Sequence, residues 1–153
     1  MNRAGTLAYF KIPIILAFLV FLLSACTSST PKPLPISTIE VENTSSSIKL
    51  PPAKILTYLW NSESEYGTTS ALGIEYEPQV VPANSVLKIS FDRQPESYGM
   101  LDEIYGDDIS NAKRIDNFTN GIKVPSKPGV YTYSYYAAWD EGHARYVFKI
   151  RVE

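Results

Sequence analysis

Two long runs near the C-terminus alternate apolar and polar residues at a period of two, which belongs to strands and not to helices. Tyr131, Tyr133, Tyr135, Ala137 and Trp139 fall on one face of the first run, and Tyr146, Phe148, Ile150 and Val152 on one face of the second. Asp140-Glu141-Gly142-His143 lies between them as a turn, so the pair is expected to close as an antiparallel hairpin. The same period recurs upstream. Lys54 to Trp60 places Ile55, Thr57 and Leu59 opposite Leu56, Tyr58 and Trp60, and Val86 to Asp92 turns Leu87, Ile89 and Phe91 inward. Leu72–Glu77, Tyr98–Tyr105 and Ala112–Phe118 are shorter strand candidates. Pro78, Pro82, Pro95, Pro125 and Pro128 fall between the strands, where a missing N–H costs no ladder bond. No sustained helical period competes. Six to eight short strands in about 100 residues predict an all-β domain, a single antiparallel sandwich over residues 53–153.

The other end of the chain has a different character. Met1, Arg3 and Lys11 precede the apolar run Ile12 to Leu23, followed by Ser24, Ala25 and Cys26. The run is too short for a spanning helix, which needs about 20 apolar residues, and it carries Pro13. Leu23-Ser24-Ala25-Cys26 resembles the lipobox of a bacterial lipoprotein signal. The resemblance implies that residues 1–25 are a signal peptide, that the Cys26 thiolate accepts a diacylglyceryl group, and that a peptidase cuts before it. It implies a mature protein held to the membrane by acyl chains such as palmitate, on the extracytoplasmic face. Thr27 stands where an Asp would resemble a retention signal in two-membrane bacteria, so outward export, to an outer membrane where there is one, is expected.

Cleavage at that point leaves 128 of the 153 residues and removes two cations, taking the formal net charge from −2 to −4. An acidic chain of this kind is poorly suited to neutralising phosphates, so no nucleic-acid partner is expected. Cys26 is the sole cysteine, so the domain has no disulfide and must stand on its apolar core. Residues 26–52, rich in Ser, Thr and Pro, read as a disordered tether, because such composition buries too little to offset its ordering entropy. As a coil it would span about 30 Å, and about 80 Å fully extended. Within it, Ile36 to Val41 alternates enough to pair at a sheet edge, and Ile39 to Leu50 admits either reading.

The C-terminal hairpin carries a second resemblance. Pro128-Gly129-Val130-Tyr131-Thr132-Tyr133, Ala138-Trp139-Asp140-Glu141-Gly142 and Tyr146-Val147-Phe148 resemble the closing hairpin of the immunoglobulin-like domains of small Gram-positive surface lipoproteins. They are similar also to the end of the intracellular proteinase inhibitor family of bacilli. The likeness covers about the last 30 residues and implies an immunoglobulin-like sandwich, while its motifs are core and turn residues that imply no activity.

Few residues suggest chemistry. His143 stands without a second His or a cysteine and reads as turn polarity. No hydrolase elbow, phosphate-cradling loop, zinc pair or dinucleotide fingerprint occurs. Asp102, Glu103, Asp107 and Asp108 form the densest carboxylate group and are the candidates for a calcium site, although their spacing does not match an EF-hand and a solvated loop is the simpler expectation. The stripe of Tyr131, Tyr133, Tyr135 and Trp139 is expected inside the sandwich and not as a stacking platform, whereas Tyr98, Met100, Tyr105 and Tyr136 are candidates for exposed contacts. The expectation is a lipid-anchored, non-enzymatic surface lipoprotein without a cofactor, whose sandwich binds a protein or cell-wall partner. A protease inhibitor of the sandwich type and a structural envelope protein are the alternatives.

Overall fold

The computed structural model describes residues 30–43, 47–66, 76–106 and 108–153. Among them the strands are β1 Ser37–Glu42, β2 Ser47–Leu50, β3 Lys54–Trp60, β4 Glu63–Tyr66, β5 Gln79–Val81, β6 Val86–Phe91, β7 Ser97–Ile104, β8 Ala112–Ile115, β9 Ile122–Lys123, β10 Gly129–Trp139 and β11 Gly142–Val152. The described residues contain no α-helix, only a 3-10 turn at Phe118–Asn120. The strands form two sheets: a small one in the order β2-β1-β6-β9, and a large one in the order β4-β3-β11-β10-β7-β8. Every pairing is antiparallel except β5, which runs parallel to the end of β11 on the edge that β3 vacates. The all-β sandwich expected from the alternation is what the chain forms.

The hairpin β10–β11 is its backbone. Eleven residues of each strand pair in unbroken register, from Gly129 opposite Val152 to Trp139 opposite Gly142. Tyr133 and Phe148, directly opposite, stack at 5.3 Å between ring centroids. From the small sheet Phe91 inserts its ring among Tyr146 at 5.1 Å, Trp139 at 5.2 Å and Tyr135 at 5.7 Å. Trp60 closes the end of this cluster edge-on to Trp139 at 5.6 Å. Each ring removes 150–250 Å² from water, about 4–6 kcal/mol of gross transfer energy, so this inter-sheet aromatic layer is the main apolar contribution in a domain without disulfides.

The turn is tighter than expected. Asp140-Glu141 alone connects the strands, and His143 belongs to β11. Gly142 makes this geometry feasible: its φ is 145°, and a Cβ there would overlap the carbonyl oxygen of Leu59 on neighbouring β3.

Two expectations need correction. The tether does not extend to Pro52, because β1 and β2 are strands of the small sheet and bury Ile39, Val41 and Leu50 in the core. β1 is not an edge but lies between β2 and β6, in register from Ser37 opposite Phe91 to Glu42 opposite Val86. Three apolar residues suffice there, since the ladder to β6 satisfies the backbone that a free tether would leave to water. Lys32–Glu153 thus form one compact unit. Of the stretch expected to be a tether, residues 26–29 lie outside the described residues. The second correction is the strand count, because β4, β5 and β9 are too short or too polar to show a period. The strand expected at Leu72–Glu77 falls mostly outside the described residues, and Tyr76 and Glu77 are not in a strand.

Candidate functional site

Because Tyr146, Phe148, Ile150 and Val152 face the core, His143, Arg145, Val147, Lys149 and Arg151 share the outer face of the large sheet. The register carries this face across the strands: Arg145 lies opposite Tyr136, Val147 opposite Ser134, Ser134 opposite Asp102, and Asp102 opposite Arg114. Asp102 accepts from Arg114 Nε at 2.5 Å through Oδ1 and from Arg145 Nη1 at 3.3 Å through Oδ2. Arg145 Nη1 also donates to the Ser134 hydroxyl at 2.7 Å, and its guanidinium lies 5.8 Å from the Tyr136 ring. Tyr136 in turn packs against the His143 ring at 5.2 Å. With Asp102 at 7% exposure and Ser134 at 0%, and with Arg114 reaching in from the exposed edge strand, these groups form a partly buried, hydrogen-bonded ion network that links four strands.

A second polar centre lies at the end of the sandwich that holds the β10–β11 turn. Pro31, Pro33 and Pro35 have no N–H, so this stretch offers mostly carbonyl oxygens, and the folded domain must supply donors. The Lys32 carbonyl accepts from Trp60 Nε1 at 2.7 Å and from Asn61 Nδ2 at 3.0 Å. The Pro33 carbonyl accepts from Arg93 Nη2 at 3.3 Å, and the Pro35 carbonyl from the Tyr146 hydroxyl at 2.9 Å. Ile36 N–H donates to Asp92 Oδ1 at 3.0 Å, and its carbonyl accepts from Asp92 N–H at 3.1 Å. Glu141 Oε1 binds both Lys32 Nζ at 2.5 Å and Arg93 Nη1 at 2.9 Å. Arg93 also lies over the Trp60 ring at 5.1 Å, while its carbonyl takes the Trp139 Nε1–H at 3.0 Å. A cleft of about 260 Å³ opens here between residues 32–35 and Asp92-Arg93.

The electrostatics of this end follow from the contacts. The hydrogen bond from Lys32 holds the Glu141 carboxyl below the ordinary range, with the Arg93 charge adding to it. Burial pushes the Tyr146 phenol up, so it stays protonated and donating. Beside the turn Glu96 is pushed up by its hydrogen bond to Asp140 and by that group's charge.

The candidate cation ligands are not brought together. Cys26 and Asp107 lie outside the described residues. Asp102 and Glu103 are not in a loop but are successive residues of β7, hence on opposite faces. Both Asp102 oxygens are committed to guanidinium groups. Asp108 Oδ1 accepts from Ser110 N–H at 2.8 Å, which lowers its pKa and caps its own turn. Among the described residues no group of three His, Cys, Asp or Glu side chains is placed to hold a metal ion. Tyr133, Tyr135 and Trp139 are buried, Tyr136 is half-buried under Arg145, and Tyr105 is 43% exposed. The proline cradle was not anticipated, since its partners lie 28 to 111 residues away from the segment they hold.

Comparison with protein-family models, with curated proteins and with solved structures gave no significant match.

Proposed function

We propose that this protein is a lipid-anchored lipoprotein of the extracytoplasmic membrane face, whose immunoglobulin-like sandwich is a non-catalytic binding or accessory module. The observation that carries the reading is the basic leader, apolar run and Leu23-Ser24-Ala25-Cys26, ending six positions before the compact unit begins at Lys32. The strand order supports the immunoglobulin-like part, with β7, β10 and β11 in one sheet facing β6 and β9 in the other.

Crosslinking in intact cells tests the binding role. The anchored chain is expected to give a discrete adduct with one envelope component. An adduct with a protease, accompanied by loss of that protease's activity, would replace the binding module with the inhibitor alternative. Absence of any adduct would contradict a binding role and favour a structural one.

A further inference from the structure

The end of the sandwich that grips residues 32–35 has the features of a peptide site that already holds its ligand. Proline-rich ligands are read by aromatic grooves whose donors meet the ligand's carbonyls, because an extended proline segment presents acceptors without donors and has little entropy left to lose. Alternating prolines fix φ at their own positions and push Lys32 and Leu34 toward extended conformations. The domain answers with side-chain donors from three separate strands and loops, namely Trp60, Asn61, Arg93 and Tyr146, and with a carboxylate, Glu141, for the lysine. Ordinary strand ladders use backbone groups, whereas this recognition is almost wholly by side chains.

We infer that Trp60, Asn61, Arg93, Glu141 and Tyr146 form a binding site for extended peptides of Lys-Pro-x-Pro type, occupied in the resting protein by its own residues 32–35. The ligand class follows from what a vacated site would lack. Trp60 Nε1 and the Tyr146 hydroxyl would be left as donors in an aromatic surround, and an unsatisfied buried donor is costly. A replacement must therefore bring carbonyls at the same spacing, few competing N–H groups, and a cation for Glu141. A proline-rich segment of a partner protein does so. The resident segment competes at the effective concentration set by its covalent connection, on the order of millimolar for a short link. The site is thus autoinhibited and opens to partners that bind tightly or when residues 32–35 are pulled away. This names a ligand class for the binding module proposed above and rests on that reading, but not on the lipid anchor.

The test uses the mature-length chain from residue 26 with Cys26→Ser, so that no lipid is attached. A fluorescent peptide with the sequence of Thr30–Ser37 is titrated and followed by polarisation. Pro33→Gly with Pro35→Gly loosens the resident segment, and this chain is expected to bind the peptide at least tenfold more tightly than the unmodified one. Adding Trp60→Phe, which keeps a ring but removes the N–H, should weaken binding at least tenfold, as should replacing both prolines of the peptide by alanine. Should the double glycine chain melt below the assay temperature, Pro33→Gly alone serves, because Pro33 is exposed and not part of the core. Equal affinity of the opened and unmodified chains, or indifference to Trp60→Phe, would overturn the site. If that happened while the envelope adduct persisted in cells, the module would bind elsewhere. Loss of both would sink the binding reading itself.

Discussion

Tyr146 and Pro35 are 111 residues apart, yet the tyrosine hydroxyl donates a buried 2.9 Å hydrogen bond to the proline carbonyl. The last strand thereby holds the segment that leads into β1 against the aromatic layer. Tyr146→Phe deletes the donor without changing the ring, leaving a buried carbonyl unpaired. The expected cost is about 1–3 kcal/mol in chemical denaturation. An unchanged midpoint would mean that water replaces the phenol at no cost.

The domain boundary gives a second prediction. A chain starting at Lys32 keeps β1 and β2 and should unfold cooperatively. A chain starting at Ala53 loses the partner of β6 along its whole length and exposes the surface that Ile39, Val41 and Leu50 cover. With total stability typically about 5–15 kcal/mol, that loss should abolish the folded state. Near-ultraviolet circular dichroism distinguishes them, and a native spectrum from the shorter chain would refute the boundary.

The outer-face ion network gives a third. Asp102→Ala leaves Arg145, whose side chain is 19% exposed, without its carboxylate. Removing one partner of a buried pair costs about 3–5 kcal/mol, and partial exposure places this case at the lower end. Asp102→Ala combined with Arg145→Met should recover part of the loss, since the unpaired charge is then gone. Millimolar calcium should raise the melting temperature no more than magnesium does, because Asp102 is committed to two guanidinium groups. A calcium-specific rise lost in Asp102→Ala would contradict this.

How far all this could be read from the chain differs by element. β10 and β11 are legible because their alternation is long and their inward residues are aromatic. β1 and β2 are only half legible: their apolar residues are few and stand among serines and threonines whose composition equally describes a tether. Asp102 and Glu103 resemble a loop because acids are depleted in strands, and what keeps Asp102 in β7 is a pair of arginines 12 and 43 residues away. The cradle is illegible for the same reason. Its one local signal is the alternation of prolines, which says that donors are needed without saying where they come from.

Alkaline pH supplies a fourth prediction. Burial pushes the Tyr76 phenol up to about 12 from an ordinary value of 10.0, and it pushes Tyr133 and Tyr146 up as well. In each case the folded state holds the proton more tightly than the unfolded one. Their contribution is therefore complete below pH 10 and lost progressively as pH rises through about 12. Absorbance at the phenolate band should show these residues ionising together with unfolding and not before it. Smooth early titration of all tyrosines would contradict the burial of these three.

The anchor is the central claim, and the intact mass of the protein recovered from membranes tests it most directly. The account predicts a chain that begins at Cys26 and carries two acyl chains, enough to anchor stably where one would exchange. Cys26→Ser should lack that mass and appear in the soluble fraction. Wild-type protein with residues 1–25 still attached, or without added lipid and with the same membrane partition as Cys26→Ser, would contradict it.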